Sequence, residues 1–152
     1  MKIILDENVP LPLTSALKVL LRAAHEVVHV TDLDGWSGTR DQPLYAKAAE
    51  AGFGLMLTND SRQMQRRSEV EAIARSGLRR VEYRHRHDGL TGVGLAMATV
   101  CGSMPVLLPH LASTKSQQLV LLKGIDPSPD HRFVVRDPAA DPPKYWPNSR
   151  HE

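Results

Sequence analysis

The sequence predicts an α/β domain with a central, mostly parallel sheet, and three observations predict it. Two short apolar runs, Ile3-Ile4-Leu5 and Leu55-Met56-Leu57, each stop on polar residues that include an aspartate, Asp6 and Asp60. Strand-like and helix-like stretches alternate along the first ~84 residues, the pattern of βαβ units. The chain is also long enough for one core, since 152 residues is close to the usual size of a single domain.

Each element has its own warrant. Ile3 to Leu5 is a buried strand by composition. Pro10 opens the first helix, because its missing N–H is an orphan there anyway, with Asn8 as a nearby cap. Leu13, Leu17, Leu20 and Leu21 give that helix one apolar face, and it is expected from Pro10 to Ala23. His25 to Val30 is a β-branched run and makes the second strand. Thr31 to Arg40 is a loop by composition. Asp41, followed by Gln42 and Pro43, is an acid cap announcing a second helix with Leu44, Ala48 and Ala51 on its apolar stripe, closed at Gly52.

The third strand is expected at Gly54 to Thr58, a helix at Gln63 to Ser76, and a fourth strand at Arg79 to Arg84. Gly89 to Gly94 carries three glycines and reads as a flexible loop or hinge. Leu95 to Val100 and Val106 to Leu111 read as two helices interrupted at Gly102 to Pro105. Gln118 to Lys123 and Arg132 to Arg136 are β-rich and flank a turn-rich stretch, which predicts a hairpin. The domain is therefore drawn over residues 1–136. Prolines 138, 142, 143 and 147 leave residues 137–152 as an extended or disordered tail.

Composition narrows the classes of function. No unbroken apolar run approaches the ~20 residues of a membrane span, and the N-terminus has no signal-peptide pattern, so a cytoplasmic protein with no membrane partner is expected. Cys101 stands alone, which excludes an internal disulfide. Net charge is only +2, but eight arginines lie between Arg62 and His87 against Glu69, Glu71 and Glu82. Such a face attracts a phosphate backbone; it also suits a solvated helix and a charged edge strand.

The acids carry the chemistry. Ligands of parallel sheets bind outside the carboxyl ends of the strands. Asp6 and Asp60 end two strands, and Asp41 begins a helix entering from the same edge. Like charges so gathered raise one another's pKa, whereas a divalent cation lets all of them stay ionised. Oxygen ligands favour Mg²⁺ or Mn²⁺, which polarises a phosphate and acidifies water. Taken singly, Asp6 and Asp41 also suit helix caps and Asp60 a turn.

Other polar residues are weaker candidates. His25 and His29 read as surface or edge histidines, and His85 and His87 as a polar strand end. Trp36 and Trp146 read as exposed loop aromatics that stack on bases or meet a partner.

Ile4-Leu5-Asp6-Glu7-Asn8-Val9-Pro10, His25-Glu26-Val27-Val28-His29-Val30-Thr31-Asp32-Leu33, Asp41-Gln42-Pro43-Leu44 and Leu57-Thr58-Asn59-Asp60 together resemble the compact bacterial PIN-like proteins, which are similar to VapC-type toxins. The resemblance covers roughly residues 2 to 84. It implies a three-layer α/β/α fold and a Mg²⁺- or Mn²⁺-dependent endoribonuclease, the toxin of a two-gene module. Asp6, Asp41 and Asp60 match its acids. Asn8, Thr58 and Asn59 support them, and Arg62, Arg66 and Arg67 receive the RNA backbone. RNA, a cognate antitoxin and a second copy of the chain are the partners implied. One departure stands out: family members carry a further aspartate and then an aromatic where this chain has Arg62 and Gln63. The alternative is therefore a catalytically impaired nucleic-acid-binding or protein-interaction module.

Overall fold

The computed structural model describes residues 1–125, 132–143 and 147. Five strands, β1 (Lys2–Leu5), β2 (Glu26–His29), β3 (Leu55–Thr58), β4 (Arg79–Glu82) and β5 (Leu119–Leu121), form one sheet in the order β2-β1-β3-β4-β5. Every pairing is parallel. The helices α1 (Leu11–Leu21), α2 (Asp41–Glu50), α3 (Arg67–Ser76) and α4 (Gly89–Ala112) cover the two faces, giving an α/β/α sandwich.

The alternation of side chains along each strand decides which helix lies where. Ile3 and Leu5 of β1 and Leu55 and Leu57 of β3 point to one face, where they pack with Leu13, Leu17 and Leu21 of α1 and Val100, Met104 and Leu108 of α4. Ile4 and Met56 point to the other, against Leu44, Tyr45 and Ala48 of α2 and Ile73 of α3. Strands buried on both faces need continuous apolar runs, and β1 and β3 supply them.

Boundaries move by one to four residues, with causes. The first helix starts at Leu11, and Asn8 does not cap it; Pro10 occupies the cap without a side-chain bond. Asp41 lies just inside its helix, and Arg40 is the cap residue. The expected helix from Gln63 splits into a 3-10 turn, Ser61–Gln65, and α3. Gly77 closes α3 at φ +68°, in the left-handed region that glycine adopts freely.

The C-terminal third departs further from expectation. Gly89 to Gly94 is the start of α4, not a hinge, and the two expected helices are one. A Cβ on Gly92 would meet the Arg86 carbonyl oxygen at 2.4 Å, so this glycine permits a close approach that its neighbours disguise as flexibility. Pro105 and Pro109 sit on the exposed side of α4, opposite its buried stripe. An interior proline costs about 3 kcal/mol. Burial of Leu95, Ala96, Val100, Met104, Leu108 and Leu111 returns about 1.5–3 kcal/mol for each large side chain, which outweighs it. By length and composition α4 is also apolar enough to cross a membrane.

The expected hairpin is not formed among the described residues. β5 extends the sheet parallel to β4 after the α4 crossover, while Phe133, Val134 and Val135 are exposed and carry no strand. Residues 126–131 of the expected turn, and Trp146 in the tail, lie outside the described residues. Within the tail, Arg136 pairs with Asp141 at 3.1 Å around a turn held by Asp137.

Candidate functional site

The sheet register brings the first two acids to one edge. Leu5 pairs with Leu57, and the Asp6 N–H donates to the Leu57 carbonyl at 2.9 Å, so Asp6 emerges beside Thr58 at the carboxyl ends of β1 and β3. The Thr58 hydroxyl donates to Asp6 Oδ2 at 2.7 Å and accepts from the Asp60 N–H at 3.0 Å. The Glu7 N–H donates to Asp6 Oδ1 at 2.7 Å. Asp6 is thus buried, 5% exposed, and does not cap α1. Burial lifts its carboxyl above the ordinary aspartate range, and the Asp60 charge adds to this against the hydrogen bonds from Thr58 and Glu7.

Asp60 follows β3 and caps the 3-10 turn, accepting from the Arg62 N–H at 2.9 Å. Asp41 comes from the first turn of α2 and is half-buried. Its carboxyl is also raised, by burial first, then by Asp6, Glu69 and Asp60. Asp41 therefore feels three other carboxylates. Among the described residues, no three His, Cys, Asp or Glu side chains are drawn tightly enough around one point to hold an ion as they stand.

The supporting residues form clips. Asn8 Oδ1 accepts from the Asn59 N–H at 3.1 Å, and Asn59 Nδ2 donates to the carbonyls of Tyr83 and His85, so one pair of amides ties the ends of β1, β3 and β4. Glu7, exposed, accepts from Ser37 Oγ at 2.7 Å and the Gly38 N–H at 3.1 Å, which pins the glycine-containing loop beside the site. Those bonds hold its carboxyl below the ordinary range.

Behind the acids lies a network that the sequence reading does not single out. Gln63 is fully buried. Its Oε1 accepts from Tyr45 OH at 3.0 Å and from Arg80 Nε and Nη2 at 3.3 Å, which turns its NH₂ toward Asp6 Oδ2 at 3.4 Å. Arg80, buried in the middle of the sheet, donates to the Asp60 carbonyl and to Glu82 Oε2, both at 2.6 Å. Burial opposes the Glu82 charge, but Arg80 and Arg84 hold it ionised, below the ordinary range. Gln63 stands where family members carry an aromatic, and its amide donates hydrogen bonds to Asp6 and Asp41.

Glu69 is the other omission. The break at Arg66 sets the phase of α3 so that Glu69, Ala72 and Ile73 share its inward stripe at i, i+3 and i+4. That spacing is visible in the sequence once the helix is started at Arg67. Arg66 Nη1 holds Glu69 Oε1 at 2.8 Å, while Oε2 is buried without a hydrogen-bond partner.

The arginines divide. Arg66 and Arg67 are paired with Glu69 and Glu71 at 2.8 Å, whereas Arg62 is exposed and its guanidinium has no partner among the described residues. His29 is buried, not superficial: its ring lies between the Val9 carbonyl and the Thr31 hydroxyl. His85 and His87 bond Thr99 and Tyr83. Trp36 is partly buried, edge-on to Phe53 at 6.1 Å, with Lys47 over its face, so it is a core residue rather than a free stacking platform.

The donors gathered here are all oxygen, the set a hard divalent cation prefers, and the orphaned Glu69 oxygen is a group such an ion would satisfy. No curated protein matches the chain. A solved structure that resembles it is the solution structure of a response regulator protein from Burkholderia multivorans, 13% identical, covering 83% of this chain and 85% of that one with a TM-score of 0.34. A family model described as a PIN-like domain matches residues 1–83, the stretch that holds β1 to β4 and all four acids. The chain belongs to the PIN-like domain family, part of a superfamily of nucleases.

Proposed function

We propose that this PIN-like protein is a Mg²⁺- or Mn²⁺-dependent endoribonuclease, the toxin of a toxin–antitoxin module. The observation that carries the reading is the convergence of acids from separate elements: burial raises the carboxyls of Asp41 and Asp6, Asp6, Glu69 and Asp60 add to it at Asp41, and Asp60 adds to it at Asp6. Asp6, Asp41 and Asp60 would hold the ion. When bound, it would supply electrostatic stabilisation of the scissile phosphate and a more acidic water. The protein's own part is positional. Thr58 and the Glu7 N–H fix both oxygens of Asp6, and the Gln63 amide, locked by Arg80 and Tyr45, spaces Asp6 from Asp41. Arg62, exposed two residues after Asp60, receives the RNA backbone; Arg66 and Arg67 do so in competition with their glutamates. A protein inhibitor would occupy the same cleft.

Expression of the wild type and of Asp6→Ala in bacteria tests this. Growth arrest with RNA degradation is expected from the first and not from the second. Equal growth and intact RNA in both refute nuclease activity. Arg62, at the position of the family's further aspartate, favours one second reading, a module that binds RNA without cutting it. Purified protein that retains RNA but takes up no Mn²⁺ at millimolar concentration decides for that module.

A further inference from the structure

We propose that the outer face of α1 and α4 is the docking surface for a second copy of this chain, giving a two-fold dimer. The assignment stands apart from the metal-dependent reading above. α4 runs for 24 residues without one Asp, Glu, Lys or Arg. A helix that is apolar all round belongs in a core, yet only 28% of the most apolar 18-residue stretch of α4 is buried. Its inner side, with Leu95, Val100, Met104 and Leu108, already packs on the sheet and α1. Its outer side brings Ala98, Gly102, Pro105 and Val106 to the surface, with Val106 77% exposed. The neighbouring helix α1 adds Val19, 65% exposed, and Leu20. Val19, Leu20 and Cys101 line one hollow of about 570 Å³ on this face, and Val106, Leu107 and His110 line a second of about 550 Å³.

Area and charge together select the occupant. With about 1.5 Å of rise per residue and a width of about 10 Å, α4 offers roughly 360 Å² and the flank of α1 roughly 160 Å². Two such faces bury about 1,000 Å² on pairing, the size from which a specific interface is stable. A nucleic acid needs cations, and α4 presents none. Helices that lie on a membrane carry Lys or Arg beside their apolar face, and α4 has neither. A charged protein surface would lose water here without gaining a partner for its charges. The same face on a second copy brings no charge of its own, and an isologous contact sets exposed valines and hollows of one copy against those of the other. Asp41 and Glu69 belong to α2 and α3, across the sheet from α1 and α4, so pairing through this face leaves the acids open.

Sedimentation equilibrium of the full chain, from about 1 to 100 μM, tests the assignment on wild type, Val106→Glu, Val19→Glu and Leu119→Glu. Wild type is expected at twice the 16.8 kDa of one chain. Val106→Glu should raise the dissociation constant of the dimer at least 100-fold while keeping the wild-type circular dichroism, because it sets two carboxylates facing each other in the contact and touches no core residue. Val19→Glu, on the other helix, should do the same, and it decides the matter should Val106→Glu not fold. Leu119→Glu, on the exposed side of the edge strand β5, should leave the dimer intact. Wild type at the mass of one chain up to 100 μM overturns the assignment. So does a dimer that survives both valine variants, or one that Leu119→Glu alone dissociates, since the sheet edge is then the interface. Single-chain wild type that floats with vesicles of phosphatidylethanolamine and phosphatidylglycerol, and ceases to in Val106→Glu, makes lipid the occupant and equally overturns it.

Discussion

Thr58→Val probes the anchoring of Asp6 with the least disturbance of shape. Thr58 is fully buried, and valine fills the same volume, so the change removes hydrogen bonds without opening a cavity. Two bonds are lost: the hydroxyl's donation to Asp6 Oδ2 at 2.7 Å and its acceptance from the Asp60 N–H at 3.0 Å. A bond to a charged group is worth about 1.5–3 kcal/mol and a neutral one about 0.5–1.5 kcal/mol, so the variant should lose roughly 2–4 kcal/mol at neutral pH. With a urea slope of about 2 kcal/mol/M, the unfolding midpoint falls by about 1–2 M.

The pH dependence is the sharper part of the prediction. Burial raises the Asp6 carboxyl above its ordinary value of 3.8, so the folded state binds the extra proton and stability falls as pH rises from that value through the folded one. Thr58 favours the ionised form, and its loss pushes the carboxyl higher still, extending the fall to higher pH. The destabilisation by Thr58→Val must therefore be smaller well below pH 3.8, where Asp6 is protonated in both proteins, and full once it is ionised. Metal-free urea melts at several pH values read this directly. A midpoint shift below about 0.3 M, or one that is the same across pH, would refute the idea that Thr58 holds a charged Asp6.

Two further changes test the surroundings. Arg80→Met strips Glu82, Gln63 and the Asp60 carbonyl of a buried donor at once. Breaking a buried pair from one side costs about 3–5 kcal/mol, and denaturant melts showing less than about 1 kcal/mol would mean the network is ornamental. Arg62→Ala should weaken single-stranded RNA binding and flatten its dependence on log salt by about 0.7, the loss of one phosphate contact. Arg67→Ala should do less, because Arg67 already pairs with Glu71; equal slopes for wild type and Arg62→Ala remove Arg62 from the interface.

The sequence by itself determined the order of elements from β1 to β4 and the edge at which Asp6 and Asp60 emerge. Continuous apolar runs and a 3.6-period leucine face behind a proline are local signals, and parallel pairing follows from strands alternating with helices. It also marked the acids, because an aspartate ending an apolar run is conspicuous against burial. Tertiary structure alone decided the rest. Gly89 to Gly94 reads as a loop until the Arg86 carbonyl is seen against Gly92, and Pro105 reads as a break until its helix is seen to bury one face and expose the other. Arg132 to Arg136 has strand composition yet forms no strand among the described residues, since composition does not say whether an edge will accept it. Gln63 and Arg80 are polar residues whose inward orientation depends on a 3-10 turn and on packing across the sheet, and no local pattern announces that two buried polar groups 17 residues apart will meet.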